Sequence, residues 1–220
     1  FQGLFDAGIV VVATSNTAPT DLYKGKLQRD RFLPFIDLLA EKLDVLELDG
    51  EFDYRRESLR AMRLYHTPIS PESDSALDYA FEQLTAGAHA MEDEISVQGR
   101  KVTVPVSARG VARFTFEELC NRPLAAADYL AIAKKFNTLI LSGIPYLDPS
   151  RRNEAQRFTL LMDSLYEHNV NLVCSANVAP DEIFPDGDGS APFQRAVSRL
   201  LEMQGDEYLA LPHISEDDDG

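Results

Sequence analysis

The side chains best placed for chemistry lie where an apolar run gives way to small polar residues. "IVVVA" at 9–13 is followed by "TSN", which puts Asn16 just past the end of that run. A side-chain amide offers a donor and an acceptor in one plane, so at a strand tip it can hold a water or a phosphoryl oxygen in place. The commoner use of such residues is as a helix cap or an Asx turn, and Asn16 or Ser15 fits that too. Arg29 and Arg31 follow at the start of "LQRDRFLPFI". From there a guanidinium could cross a subunit boundary to a γ-phosphate, where an arginine finger is worth about 10³–10⁵ in rate. The plainer alternative is a pair of surface arginines beside Asp30. Arg195 and Arg199 stand four apart and share a helix face, suited either to a phosphate or to surface pairing with Glu202 and Asp206.

Other signatures are missing from the sequence. There is no GxSxG and no HExxH, and His66, His89, His168 and His213 are spaced too widely to suggest a metal site. Nor is there a GxxxxGK[ST] or a strand ending in Asp-Glu. Any nucleotide chemistry here would therefore lack its phosphate cradle.

Composition narrows the classes further. With 21 basic and 36 acidic residues the formal charge is −15, which argues against a protein that grips nucleic acid by counterion release. Hydrophobic residues make up 45% of the 220, enough for a substantial core. Cys120 and Cys174 have no CxxC spacing, so a reducing, cytoplasmic setting is expected and a disulfide framework is not. No apolar run approaches the ~20 residues of a membrane helix. The opening "FQGLFDAG" reads as the end of a helix stopped by Gly8, as though the chain began in mid-fold.

These residues need elements to position them. The pattern predicts a doubly covered strand at 9–13, a helix from Leu27 with Phe32, Phe35, Ile36, Leu39 and Leu43 on one stripe, and a strand at 44–49. Residues 51–71 look like a polar, basic-rich connector with two prolines. A short helix follows, with Leu77, Ala80, Phe81 and Leu84 inward and Gly87 as its stop. "KVTVPV" and "GVARFTF" alternate around "SARG" as a hairpin, Thr115 and Glu118 fit a capping box, and "AAADYLAIAKKF" is helical. From Thr138 the style is strand, helix, strand, with a last helix ending at Gly205 and "EYLALPHI" as a closing strand. The expected organisation is α/β, in four segments: 1–49, an inserted lid with a β-hairpin at 50–137, a second α/β unit at 138–212, and an acidic tail at 213–220.

The chain also echoes itself. "LFDAGIVVVATSNTAPTDLY" at 4–23 aligns without gaps with "LYEHNVNLVCSANVAPDEIF" at 165–184, pairing Leu4 with Leu165, Val12 with Val173, Asn16 with Asn177, Ala18 with Ala179 and Pro19 with Pro180. Convergence of strand-to-helix turns on small polar residues and proline would give the same likeness. Two related units of one sheet, or two half-sites, would give it as well.

Longer blocks carry a family resemblance. "GIVVVATSNTAPTDLYKGKLQRDRFLPFIDLLAEKLDVLELDGEFDYR", "GVARFTFEELCNRPLAAADYLAIAKKFNTLILSGIP", "RRNEAQRFTLLMDSLYEHNVNLVCSA" and "AVSRLLEMQGDEYL" resemble, in order, the carboxyl-terminal part of the ZapE-type AAA+ ATPases, bacterial cell-division ATPases with mitochondrial relatives. The resemblance implies a parallel-sheet P-loop NTPase fold, with "ATSN" as the sensor-1 tip where Asn16 orients the attacking water. It implies Arg29 as the arginine finger, Arg199 as a sensor-2 contact, and a family motif at Arg55 without an assigned role. ATP and Mg2+ are the implied cofactors, their phosphate and metal ligands lying outside this chain, which alone should be inactive. The implied protein is a cytoplasmic homo-oligomer that remodels a protein partner, the division ring in a bacterium, with a peripheral place at the inner membrane left open and no nucleic-acid partner. An ATP-independent protein-binding scaffold is the alternative.

Overall fold

Alternation of buried side chains along two central strands decides the architecture. The computed structural model describes residues 2–13, 19, 22, 32–45, 54–184 and 191–215, and the chain divides into two units, 1–51 and 52–220. In the second unit the strands are β1 (Tyr65–His66), β2 (Met91–Val97), β3 (Arg100–Ala108), β4 (Val111–Thr115), β5 (Thr138–Ile144) and β6 (Asn171–Ala176). They form one sheet in the order β1-β6-β5-β4-β3-β2. The β1-β6-β5-β4 half is parallel, and β2 and β3 extend it as antiparallel ribbons.

Leu139, Ile140 and Leu141 of β5 are all fully buried, which requires cover on both faces of the strand. Ile140 packs with Val111 and Val173 against Leu59, Leu77, Ala80 and Leu84, contributed by α3 (Tyr54–Ala61) and α4 (Pro71–Thr85). Leu139 and Leu141 join the opposite core, with Ile132 of α5 (Ala126–Lys135), Phe158 and Met162 of α6 (Arg152–Glu167), and Ala196 and Leu200 of α7 (Ala191–Glu202). The result is an α/β layer structure with helices on both faces of a mostly parallel sheet.

Much of the expected pattern is present. Pro71 begins α4, Leu77, Ala80 and Leu84 are buried, and the helix ends at Ala86 and Gly87, whose φ angles are +50° and +65°. Thr115 and Glu118 form the reciprocal cap: the Thr115 N–H donates to Glu118 Oε2 at 2.8 Å and the Glu118 N–H to Thr115 Oγ1 at 3.2 Å. They open a single π-helical turn at Glu117–Asn121. The "SARG" hairpin is β3–β4, closed by Arg109 and Gly110 with φ of +48° and +77°.

Several elements differ from the pattern. Residues 54–61 and 65–66, read as connector, are α3 and β1, because Leu59 and Leu64 supply the buried aliphatic contacts there and leave no periodicity to see. Strand β2 is absent from the sequence reading, since only Ile95 and Val97 of "MEDEISV" are buried. "EYLALPHI" is not a strand: residues Asp206–Leu209 form a helical turn, α8, which sends Tyr208 to one core and Leu209 to the other. The division expected at 137–138 falls between α5 and β5, inside one sheet.

In the first unit, α1 (Gln2–Asp6) ends as expected at Gly8, φ +66°, and α2 spans Leu33–Lys42 with Ile36 buried. Residues 9–13 are described without strand pairing, and Val10 and Val12 are 88% and 89% exposed. The apolar run is there, but no described strand flanks it, and a strand is made by its neighbours' hydrogen bonds. Residues 44–45 likewise have no regular structure, while the rest of the strand expected at 44–49 lies outside the described residues.

Two hairpin turns in the second unit use positive φ at both central residues, Gln98–Gly99 and Arg109–Gly110, as two-residue loops of type I′ require. A Cβ at Gly99, φ +82°, would meet nothing within 4 Å, whereas at Gly110 it would come within 2.5 Å of Asn137 Nδ2. Gly110→Ala should therefore cost about 2 kcal/mol and Gly99→Ala about 1 kcal/mol, read as urea-denaturation midpoints. Equal losses would show that the Asn137 approach carries no energy.

Candidate functional site

In an open α/β sheet a ligand crevice forms at the carboxyl ends of two adjacent strands whose connections leave to opposite faces. Strand β1 leads through residues 67–70 into α4 on one face; its neighbour β6 leads through 177–184 into α7 on the other. The crevice of the second unit is therefore bounded by Tyr65 to Ser70 and by Asn177 to Glu182.

Its contents are engaged with one another. The Tyr65 hydroxyl spans the gap and donates to the Val178 carbonyl at 2.7 Å. Burial pushes the Tyr65 hydroxyl well above its ordinary pKa, with Cys174, Asp181 and Glu182 adding to the effect. Arg63 Nε donates to the Tyr65 carbonyl at 2.6 Å. Burial also lowers the pKa of His66, so its ring is neutral at pH 7. On the β6 side, the Asn177 N–H donates to the Ile144 carbonyl at 2.9 Å, and the Leu147 N–H to the Ile183 carbonyl at 2.9 Å. Ser175 Oγ accepts from the Gly143 N–H at 3.0 Å where β5 bulges.

The amino end of α4 is closed as well. Ser70 Oγ accepts from the Ser73 N–H at 3.3 Å, Ser73 Oγ accepts from the Ser70 N–H at 2.9 Å, and Pro71 has no N–H to offer. Glu72 and Asp74 lie in the first turn, where an anionic ligand would otherwise be drawn to the helix dipole.

Asn16 and Arg29, singled out from the sequence, lie outside the described residues. Arg199 lies elsewhere, on the α6–α7 seam. Its Nη1 donates to Asp163 Oδ1 at 2.5 Å, its Nη2 pairs with Glu167 at 3.3 Å, and its guanidinium stacks 4.8 Å from the Tyr166 ring. Arg195 grips the same Asp163 through Nε at 3.2 Å and Nη2 at 2.7 Å. The partners expected for this pair, Glu202 and Asp206, are engaged elsewhere: Glu202 accepts from the Tyr166 hydroxyl at 2.6 Å, and Asp206 faces Arg60 at 3.7 Å. The reason is packing, because α7 lies on α6 and turns its basic face onto the acids of that helix. Arg55 donates through Nη2 to the Arg109 carbonyl at 3.2 Å, tying α3 to the β3–β4 turn.

Tyr65, Arg63, Asp181 and Glu182 escape sequence reasoning because a two-residue strand has no period. The one available signal is Ser70-Pro71 before a helical stripe, which marks a strand–loop–helix entry.

A mostly parallel sheet with helices on both faces and a crevice at its switch point is an α/β arrangement of the P-loop NTPase type. Comparison with known proteins narrows this. The model of the AFG1-like ATPase family matches residues 1–212, and the chain belongs to that family. It is 36% identical over 218 residues to cell division protein ZapE of Escherichia coli K12, covering 97% of this chain and 57% of that protein. It is also 36% identical over 243 residues to lactation elevated protein 1 homolog B of Danio rerio, covering 94% and 48%. An uncharacterized protein of Schizosaccharomyces pombe is 41% identical over 191 residues, covering 84% and 41%. The chain thus spans about half the length of the curated relatives it matches. No solved structure matches it.

Tyr65→Phe removes the bond across the crevice and should cost about 1 kcal/mol of stability near neutral pH. The alkaline response fixes the sign. In the unfolded chain Tyr65 ionises near its ordinary value of 10.0, whereas in the fold it stays neutral above that. Its contribution is therefore complete below pH 10 and lost as pH rises, by about 1.4 kcal/mol per pH unit. Between about pH 10 and pH 11 the Tyr65→Phe variant should lose about 1 kcal/mol less stability than the parent. Parallel slopes would mean that the hydroxyl is solvated.

Proposed function

We propose that this chain is the carboxyl-terminal part of an AAA+ ATPase that works as a cytoplasmic homo-oligomer and couples ATP hydrolysis to remodelling of a protein partner, the division ring in a bacterium. The observation that carries the reading is membership of the AFG1-like ATPase family across residues 1–212. The Escherichia coli relative is a cell division protein, which supports the choice of partner.

In this reading Asn16 holds the attacking water through its amide, and Arg29 reaches a neighbouring subunit's γ-phosphate as charge builds there. ATP with Mg2+ supplies the phosphoryl group and the metal that neutralises its oxygens. Their ligands come from residues outside this chain, since the 220 residues contain no GxxxxGK[ST]. The chain alone should accordingly be inactive. Arg199 would contact nucleotide only by leaving Asp163 and Glu167, so its proposed sensor role requires an exchange of partners on the α6–α7 seam.

The experiment is steady-state turnover with separately measured nucleotide affinity in the full-length protein. Arg29→Ala should lower kcat by about 10³-fold or more while the Kd for ATP moves by less than about threefold, because a finger acts on the transition state. Asn16→Ala should likewise lower kcat more than affinity. Equal loss of binding and turnover would remove both assignments. A full-length protein with no turnover that still binds its partner would instead establish the ATP-independent scaffold.

A second prediction concerns the seam. In a double-mutant cycle, Arg199→Ala and Asp163→Ala should couple by about 1–3 kcal/mol in stability, as charged hydrogen bonds between half-buried groups do. Coupling near zero would show that Arg199 is free to serve a phosphate without cost.

A further inference from the structure

An open sheet has two edges, and each presents backbone donors and acceptors on which another strand can build. Among the described residues these edges are β1 and β2. Strand β1 is two residues long, and the Cys174 N–H donates to the Leu64 carbonyl at 2.8 Å, so the Tyr65 carbonyl points away from β6. That outward carbonyl is the one Arg63 Nε takes at 2.6 Å. Strand β2 is longer, at seven residues, and offers a better template. Its turn closes on Val97 and Arg100, the hydrogen-bonded pair of a two-residue hairpin; Ile95 and Asp93 follow in the same phase, opposite Val102 and Val104. Glu92, Glu94 and Ser96 therefore turn their N–H and C=O groups outward.

At Glu94, midway along β2, both outward groups are taken by the chain itself. The Glu94 N–H donates to Asp93 Oδ1 at 2.7 Å, and the Glu94 carbonyl accepts from Lys135 Nζ at 3.3 Å. Lys135 in turn pairs with Asp93 Oδ2 at 2.7 Å. Strand phase makes this possible. Ile95 and Val97 are buried in the core that holds Ile132 of α5, so Asp93 shares their side of the sheet, where the last turn of α5 carries Lys135. A charge set into the apolar row and a lysine at the rim are both ways to blunt a sheet edge. We infer that the Asp93–Lys135 pair is a lock on the β2 edge, which keeps that edge from adding the β2 strand of a second copy of this chain. A second copy is the occupant excluded because antiparallel β2–β2 pairing about Glu94 is two-fold, so its backbone groups complement themselves. Any homo-oligomer of the protein is then built through other surfaces, and the lock stands whether or not the protein is an ATPase.

The test is sedimentation velocity of the full-length protein over a series of concentrations. Asp93→Val removes both the acceptor of the Glu94 N–H and the partner of Lys135, and should raise the mass at least about twofold over the parent as concentration increases. Adding Ser96→Pro to that variant deletes an outward N–H without touching the β3 ladder, and should return the mass to the parent's. Ser96→Pro alone should leave the parent's mass unchanged. Lys135→Met, a change at an α5 surface position that frees the Glu94 carbonyl, should give the same association with the same reversal, and it carries the test if Asp93→Val does not fold. The inference is overturned by a folded Asp93→Val or Lys135→Met variant that keeps the parent's mass at every concentration, or by association that Ser96→Pro fails to reverse. Loss of the parent's own assembly on Ser96→Pro alone would overturn it too, since the edge would then already be in use.

Discussion

Residues 138–144 and 171–176 are strands because each has a parallel neighbour on both edges and helices over both faces. That demand fixes most of the second unit. A residue such as Ile140, fully buried, needs α4 on one side, while Leu139 and Leu141 need α5 and α6 on the other. Once helices occupy both faces, adjacent strands must send their connections to opposite sides somewhere, and the crevice between β1 and β6 is where this happens. The candidate site is thus a by-product of burying a parallel sheet.

The same constraint separates the two copies of the echo. Val170 and Val173 are fully buried beside β1 and β5, whereas Ile9 is 51% exposed and Val12 89% exposed. The apolar run is similar in both, so the run states a requirement and only the neighbours meet it. The residues of "TLILSGI" meet it locally because β4 and β6 come from the same unit.

Legibility follows from this. Elements with several buried residues at a clear spacing are readable: α4 from Leu77, Ala80 and Leu84, α6 from Ala155, Phe158, Met162 and Leu165, and the β3–β4 hairpin from alternation around Arg109-Gly110. Elements held by one or two buried side chains are not, which is why α3 and β1 resemble a linker. Tyr208 and Leu209 mislead in the opposite way, since neighbours buried in different cores imitate a strand while sitting in one helical turn. At the candidate site the limits are sharper. The pairing of Arg195 and Arg199 with Asp163 depends on how α7 lies on α6, a long-range fact that spacing along α7 does not contain. The roles of Asn16 and Arg29 come from family resemblance and stay proposals.

Substitutions at the tip run in one direction between the copies. Where the first has Ser15 before Asn16, the second has Ala176 before Asn177, losing a hydroxyl beside the amide. Where the first continues Thr20-Asp21, the second has Asp181-Glu182, gaining a carboxylate. Both changes weaken any hold on an anion. Asn177 nevertheless persists, and its described bond is a backbone one, to Ile144, which any residue but proline could make. The Tyr65 hydroxyl, bonded to the Val178 carbonyl, ties the edge strand to the segment that follows β6.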